Sequence, residues 1–178
     1  PDFIVSTHPL PMMLVSHSKE KDIIEVLSSM VVTDFGCHSF WVDPEVNYYF
    51  GATEDVGKCL TNYGAKLEQT VATGIPIQLK FSEPLDKNKL VKKIGLNPNK
   101  KTVLIVGGQF SFEALEKVVT GIINKNGEKV QFLIVAGRDK ALKAALESSD
   151  LDKNNNIRVF GFVDNMHELI TVSDLIFT

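Results

Sequence analysis

The chain has 178 residues, of which 44% are hydrophobic and 23% are charged, and its formal net charge is −3. That length allows one domain or parts of two, and the composition is ordinary for a globular protein. The acidic balance excludes a nucleic-acid binder held by bulk charge, and no apolar run is long enough to span a bilayer. The chain opens on PDFIVSTHP without an initiator Met and closes on the strand-like SDLIFT. We therefore expect a fragment of a longer protein, truncated at both ends.

Apolar runs rich in Val and Ile alternate with helix-period segments along the first part of the chain. Thr53 precedes Glu54 and Asp55, so it is the expected N-cap of a helix with acidic residues in its first turn. We predict strands at residues 3–7, 30–35, 47–52 and 70–74, and helices at residues 9–18 and 53–63.

The composition changes after Gly74, where GIPIQLKFSEPLDKNKLVKKIGLNPNKK contains three prolines and seven lysines. We predict that residues 77–100 form a linker between domains, with one short helix at residues 87–94. The lysines between Lys80 and Lys101 suit a solvated linker helix, which we favour. Contact with anionic lipid headgroups is the alternative.

The alternation of strands and helices resumes near residue 101. Strands that are apolar on both faces and separated by helices indicate a parallel sheet with helices on each side. Two such series predict an α/β fold of two Rossmann-like domains, at residues 1–76 and 101–178, with ligands at the carboxyl ends of the strands. In the second series we predict strands at residues 102–108, 130–137, 157–162 and 174–178, and helices at residues 112–124, 139–148 and 165–172.

Two glycine-containing turns fall at the expected ligand edge of the second sheet. Gly107 and Gly108 follow an apolar strand and precede a helix, where backbone amides, including that of Gln109, can cradle a diphosphate. A purely steric corner between strand and helix is the alternative. Arg138, in LIVAGRD, is either a bidentate partner of a phosphate or a solvated arginine in a turn.

The segment GFVDNMHELITVSDL is more distinctive. Gly161 permits a close approach, Phe162 offers a flat apolar face, and backbone groups at Val163 can read the edge of a base. The alternative is that Phe162 and Met166 are ordinary core residues.

The block VVTDFGCHSFWVDP carries candidate catalytic groups in the first half of the chain. Asp34 follows a predicted strand end, and His38 and Trp41 come after it at helix-like spacing. A carboxylate near an imidazole suits general-base catalysis on a hydroxyl. A capping aspartate with a surface histidine is the alternative.

Cys37 and Cys59 are too few for a disulfide framework in a chain of this size. We expect them to be free thiols in a reducing cytoplasm. A metal site built from Cys37, His38 and His17 is the alternative, but their spacing fits no standard zinc pattern. We therefore predict no metal site.

Eight blocks occur together and in order along the chain: PDFIVSTHP, VVTDFGCHSFWVDP, YYFGATEDV, VATGIPI, VLIVGG, VAGRD, GFVDNM and SDLIFT. In sequence and spacing they resemble the family of monogalactosyldiacylglycerol synthases and processive diacylglycerol glucosyltransferases. That family is related to the N-acetylglucosaminyltransferase of peptidoglycan synthesis. The resemblance implies the two-domain GT-B glycosyltransferase fold, with the acceptor bound by the N-terminal domain and the UDP-sugar by the C-terminal domain.

The resemblance also implies inverting transfer of a hexose from a UDP-sugar to diacylglycerol or a glycosyl-diacylglycerol, in membrane glycolipid synthesis. Carried over by position, Gly107 and Gly108 would lie against the diphosphate, while Phe162, Val163 and Met166 would surround the uracil. The family's diphosphate loop is commonly richer in glycine than GGQFSF. The family also continues past the end of this chain into further sugar-binding residues, so we expect the chain alone to be inactive.

On the acceptor side the resemblance places His8, Asp34, His38 and Trp41, of which Asp34 and His38 are candidate catalytic bases. The UDP-sugar is a co-substrate, and no cofactor is implied. A lipid acceptor implies a cytoplasmic protein that is peripheral at the inner face of the cell membrane. The apolar residues 10–14 either flank an acceptor channel or pack in the core.

Two other functions remain open. A UDP-sugar 2-epimerase has the same two-domain architecture and needs no membrane. A non-catalytic sugar-nucleotide-binding module is compatible with the glycine-poor GGQFSF loop. The VVTDFGCHSFW block favours the lipid glycosyltransferase over both, because it matches the family on the acceptor side.

Overall fold

The structure, a computed structural model, describes residues 1–108, 110–149, 151 and 156–178. The chain divides into two compact units, Pro1–Gln78 and Leu79–Thr178. Within the described residues each unit contains a four-stranded sheet whose paired strands run parallel. The prediction of an α/β fold with parallel sheets is therefore confirmed.

The first unit comprises, in chain order, β1 (Phe3–Ser6), α1 (Pro9–Glu20), β2 (Leu27–Val31), β3 (Tyr48–Gly51), α2 (Glu54–Thr61) and β4 (Thr70–Ala72). Its strands pair in that same order, β1–β2–β3–β4. Side chains from both helices and two strands meet in one core, whose most deeply buried members include Met12, Met30, Tyr49, Val56 and Leu60.

Local sequence explains where these elements begin. Thr53 caps α2 as predicted, because its side chain accepts a hydrogen bond from the Val56 amide (3.4 Å). The strand β2 begins at Leu27, earlier than predicted, since it contains buried serines that hydrophobic periodicity discounts. Ser28 is accommodated because its amide donates to Asn47 Oδ1 (2.9 Å).

The helix α1 leaves part of its apolar surface uncovered. Met12 is fully buried, whereas Leu10, Met13 and Leu14 are 62%, 53% and 66% exposed. Core packing therefore accounts for Met12 but not for these three neighbours. No helix in the described part of the chain combines the length and apolar character that crossing a bilayer requires.

The second unit comprises α3 (Lys87–Ile94), β5 (Lys101–Val106), α4 (Phe112–Asn126), β6 (Val130–Val135), α5 (Lys140–Ser148), β7 (Ile157–Phe160), α6 (Met166–Val172) and β8 (Leu175–Phe177). Its strands pair in the order β7–β6–β5–β8. The chain thus crosses the sheet one way through β5, β6 and β7, and returns to the far side of β5 for β8. Open α/β sheets bind ligands where the strand order reverses in this way.

Residues 79–100, predicted as a linker, lie within the second unit. The predicted helix forms as α3, and its Leu90 and Val91 are buried in a cluster with Leu104 and Leu169. The segment therefore packs against the sheet and α6 of this unit.

Several of the lysines between Lys80 and Lys101 have acidic partners. Lys93 pairs with Glu168 (2.7 Å), while Lys87 and Lys101 both pair with Asp174 (3.5 and 3.3 Å). The hydrogen bond from Lys93 holds the pKa of the Glu168 carboxyl below its ordinary value. This pairing fits a helix that is solvated and locally neutralised rather than a free cationic patch.

Candidate functional site

The second sheet brings the predicted donor-binding turns to one edge. Val106 is paired with Val135, and Val135 with Phe160, so the residues that follow these three strands emerge side by side. We name this edge the second-unit rim and define it by Gly107, Gly108, Gly137, Arg138, Gly161 and Phe162.

A cavity of about 600 Å³ opens on the second-unit rim, at the reversal of strand order between β5 and β8. It is lined by Val106, Gly108, Phe110 and Thr178. The Phe110 ring forms one wall and lies 5.3 Å, centroid to centroid, from the ring of Phe177 at the end of β8. A ligand in this cavity would contact Gly108 directly.

Gly107 and Gly108 are glycines for different physical reasons. A Cβ atom at Gly107 would lie 3.0 Å from Cδ1 of the buried Leu115, so this position is a close corner between β5 and α4. A Cβ atom at Gly108 would meet the Ala136 carbonyl oxygen only at 4.0 Å, so this position is open. The sequence left a phosphate-cradling turn and a steric corner as alternatives. Gly107 has the geometry of the steric corner, whereas Gly108 is open to a ligand.

The first turn of α4 is already capped by its own residues. Ser111 Oγ accepts a hydrogen bond from the Ala114 amide (3.3 Å). Glu113 has a lowered pKa, because its carboxylate accepts hydrogen bonds from its own amide and from the Ser111 hydroxyl. An acidic side chain in this first turn interacts favourably with the partial positive charge of the helix N-terminus. Phe112 packs against the core, and Gln109, a predicted donor-binding residue, lies outside the described residues.

Arg138 and Phe162 contact each other across the ends of β6 and β7. The Arg138 Cζ atom lies 5.1 Å from the centroid of the Phe162 ring, within the range of a cation–π interaction. Gly137 precedes Arg138 with φ +64°, a left-handed conformation that favours glycine. Phe162 is 67% exposed, so its ring is not a core residue.

The rest of the predicted base-binding loop is more buried. Val163 and Met166 are half-buried and pack against the core of the second unit. A Cβ atom at Gly161 would lie 3.3 Å from a lysine side chain of α5, so this glycine also relieves crowding. Lys80 Nζ donates a hydrogen bond to the Asp164 carbonyl oxygen (2.8 Å) and fixes the far end of the loop. Sequence reasoning missed this contact.

The first-unit loop, residues 33–41, carries three of the predicted acceptor-side residues. Asp34 is exposed. His38 caps a 3₁₀ turn, its Nδ1 accepting a hydrogen bond from the amide two residues on (3.3 Å). Trp41 is 7% exposed and belongs to the core, so it supports this loop from inside.

His8 stands outside that loop but has the same local role as His38. Its Nδ1 accepts a hydrogen bond from the Leu10 amide (3.2 Å) at the start of α1. A neutral imidazole that accepts at Nδ1 carries its proton on Nε2. The Nε2–H group of His8, and likewise of His38, is therefore free to donate a hydrogen bond.

The structure joins Cys37 and Cys59 in a disulfide, with Cα atoms 6.0 Å apart. The prediction of free thiols was therefore wrong. The bond connects the first-unit loop to α2. Its two cysteines are 22 residues apart in sequence, so their proximity in space depends on how β3 and α2 pack. Among the described residues, no group of three His, Cys, Asp or Glu side chains is placed to hold a metal ion.

A larger cavity, of about 820 Å³, lies in the first unit and is lined by residues that include Asp2, Lys19, Leu27 and Asn47. It lies at the amino ends of β1 and β2, whereas parallel sheets bind ligands at carboxyl ends. Lys19 Nζ already donates to Ser28 Oγ, Asn47 Oδ1 and the Glu45 carbonyl oxygen. The second-unit rim is therefore the better candidate site.

Comparison with known families decides the relationship. Residues 1–77 match the family model "Monogalactosyldiacylglycerol (MGDG) synthase", and residues 102–178 match "Glycosyltransferase family 28 C-terminal domain". The first part of the chain is thus similar to monogalactosyldiacylglycerol synthases, and the second part to family 28 glycosyltransferases. The family resemblance inferred from the sequence is thus confirmed.

Curated members of this family match the chain from end to end. The processive diacylglycerol β-glucosyltransferases of Bacillus licheniformis and Bacillus subtilis are each 31% identical over 100% of the chain. The chain covers 46% of each, so it spans about half the length of these relatives.

Solved structures confirm the GT-B type of α/β fold for this chain. Anabaena HepE, solved with UDP and glucose, is 13% identical, with a TM-score of 0.64 over 98% of this chain and 51% of that one. Staphylococcus aureus MnaA, solved with UDP, is 16% identical, with a TM-score of 0.67 over 99% and 51%. A UDP-N-acetylglucosamine 2-epimerase is 13% identical, with a TM-score of 0.63 over 99% and 49%. At these identities the likeness concerns the fold alone.

Proposed function

We propose that the protein containing this chain is an inverting glycosyltransferase that moves a hexose from a UDP-sugar to diacylglycerol or a glycosyl-diacylglycerol. The observation that carries the proposal is the second-unit rim, where an open glycine, a cavity and an exposed aromatic ring lie along one sheet edge. The names of the relatives, diacylglycerol β-glucosyltransferases, support both the reaction and the acceptor.

The donor is proposed to lie along the second-unit rim with its uracil at the β7 end. Phe162 offers the exposed face for the base, while Val163 and Met166, from the same loop, pack against the core. The diphosphate then lies toward β5, against Gly108 and the cavity beside it. Because Glu113 occupies the first turn of α4, we place the diphosphate against the turn itself rather than on the helix end.

The acceptor hydroxyl requires a base as it attacks the anomeric carbon. We propose Asp34 for this role, because its exposed carboxylate can accept a proton. His38 presents Nε2–H while its Nδ1 is engaged, so it is suited to orient the acceptor oxygen by donating a hydrogen bond. The new glycosidic bond forms as the bond to UDP breaks, with inversion at the sugar.

Charge builds on the UDP diphosphate as it leaves. The proposal assigns its stabilisation to the backbone amide of Gly108, since the amides of Gly107 and Phe110 already donate to carbonyl oxygens. The UDP-sugar is the co-substrate, and the proposal includes neither a metal nor an organic cofactor. A lipid acceptor further implies a cytoplasmic protein peripheral at the inner face of the membrane. The exposed Leu10, Met13 and Leu14 support contact of α1 with lipid.

The test uses the longest natural polypeptide that contains this chain. It is incubated with UDP-glucose or UDP-galactose and diacylglycerol vesicles, and the lipid extract is examined for a β-linked glycolipid by mass spectrometry and NMR. Absence of product with both donors, and with UDP-N-acetylglucosamine, would contradict the proposal. Release of a free sugar from a UDP-sugar without lipid would identify the 2-epimerase instead. UDP binding without any turnover would identify the non-catalytic module.

A further inference from the structure

The contact between Arg138 and Phe162 assigns Arg138 a role that a phosphate-binding arginine would not have. Its guanidinium lies over the Phe162 ring, 5.1 Å from Cζ to the centroid. An arginine placed this way covers one face of an aromatic ring and leaves the opposite face open. Because Phe162 remains 67% exposed, that open face is accessible to a planar ligand.

The surrounding backbone keeps this pair together. Gly137, at φ +64°, provides the left-handed turn that precedes Arg138. Gly161 lies close to Gly137, since a Cβ at Gly161 would be 3.8 Å from the Gly137 carbonyl oxygen. Lys80 holds the same loop from its other end through the Asp164 carbonyl. These contacts involve residues on either side of Phe162, and among the described ring contacts Arg138 is the only group that lies over the Phe162 ring.

We propose that Arg138 is a positioning residue that holds the Phe162 ring as a platform for the uracil base, rather than a ligand of the diphosphate. This inference rests on the proposed UDP-sugar site. It predicts that Arg138 contributes to binding of the base and ribose whether or not phosphates are attached. A direct phosphate ligand would instead contribute more with each phosphate added.

The experiment measures dissociation constants of uridine, UMP and UDP by NMR titration, in the wild type and in Arg138→Ala of the longest natural polypeptide that contains this chain. We expect binding to weaken by a similar factor for all three ligands, roughly three-fold to five-fold, as for an exposed cation–π contact. A loss that is negligible for uridine and about ten-fold or more for UDP would overturn the inference while leaving the UDP site intact. No saturable binding of any of the three by the wild type would contradict the proposed site and this inference together.

Two control variants separate the ring contact from charge and from folding. Lys140→Ala removes another exposed cation close to the rim, and it should leave all three dissociation constants unchanged. Phe162→Leu should move the Arg138 Hε resonance downfield, because the ring no longer shields it. An unchanged Hε resonance would mean that the contact does not form, and would overturn the inference without any ligand present.

Discussion

The second-unit rim and the first-unit loop are built in opposite ways. The rim is made of turns that follow parallel neighbouring strands, so its open positions converge because the sheet aligns them. The loop at residues 33–41 has no sheet partner at its centre, and it is held by a disulfide, a buried tryptophan and a histidine cap. Sheet geometry therefore aligns the turns of the proposed donor site, with Lys80 and Arg138 adding contacts at the β7 end. The proposed acceptor loop instead depends on individual side-chain contacts and the disulfide.

That difference changes what each predicted residue can do. At the rim, Gly108 and Phe162 remain open to a ligand. In the loop, Trp41 and His38 are already used to hold the loop itself. Asp34 is left as the exposed group that is able to accept a proton there.

The largest expected effect is on kcat, and it distinguishes the proposed roles of Asp34 and His38. In the intact protein, Asp34→Asn should lower kcat by about a hundred-fold or more, because the general base is lost. His38→Asn should lower kcat by less than about ten-fold, since asparagine preserves the cap. Glycolipid formation from UDP-glucose is the measurement. The reverse order of the two losses would identify His38 as the base and contradict the tautomer argument.

The next effect tests whether the disulfide stabilises the first unit. Reducing the Cys37–Cys59 bond should destabilise the first unit by about 3 kcal/mol, the entropy of closing a loop of this length. Urea unfolding followed by Trp41 fluorescence reports this unit, because Trp41 is the only tryptophan in the chain. The Cys37→Ser, Cys59→Ser double variant is the control and should not respond to reductant. An unchanged urea midpoint for the reduced wild type would mean that the disulfide does not stabilise the first unit.

A matched pair of variants tests the two successive glycines of the second-unit rim. Gly107→Ala should cost about 1–2 kcal/mol of stability, because the new Cβ would lie 3.0 Å from the buried Leu115 side chain. Gly108→Ala should stay within about 0.5 kcal/mol of the wild type, since its Cβ would meet open space. Urea unfolding followed by circular dichroism compares them. Equal stabilities would remove the distinction between the corner and the open turn.

The smallest expected effect is a difference in pH sensitivity. Asp174 has a lowered pKa, chiefly because it accepts a hydrogen bond from the Thr102 amide (2.9 Å) and also pairs with Lys101. Burial raises the pKa of Tyr49 in the first unit, although its backbone hydrogen bond with Asp43 opposes that shift. A depressed carboxyl pKa stabilises the fold above about pH 4 and ceases to do so below it, whereas a raised phenol pKa stabilises it only below about pH 10.

As the pH falls, the second unit should therefore lose about 1 kcal/mol of stability before the first unit is affected. As the pH rises, the first unit should be destabilised before the second. Hydrogen exchange read by mass spectrometry follows both units in one sample. Asp174→Asn should flatten the acid response of the second unit, and Tyr49→Phe the alkaline response of the first. Acid weakening of both units to the same extent would contradict this assignment.

The sequence allowed the rim to be predicted more fully than the loop. Apolar runs and helix caps such as Thr53 depend on neighbouring residues, so periodicity places the strands and their carboxyl ends. Lys80 and Asp164 are 84 residues apart, and Cys37 and Cys59 are 22 apart, so no local pattern predicts that they meet. Trp41 and His38 share helix-like spacing, yet only the packed core determines that one is buried and the other exposed.

The central claim is that the second-unit rim is a uridine-nucleotide site, and chemical-shift mapping with UDP tests it most directly. The longest natural polypeptide that contains this chain is ¹⁵N-labelled and titrated with UDP, and amide shifts are followed in both units. The account predicts saturable shifts at Gly108, Arg138 and Phe162–Val163, with the first-unit loop unaffected. Shifts confined to the first unit, or no saturable shift at the rim, would contradict it.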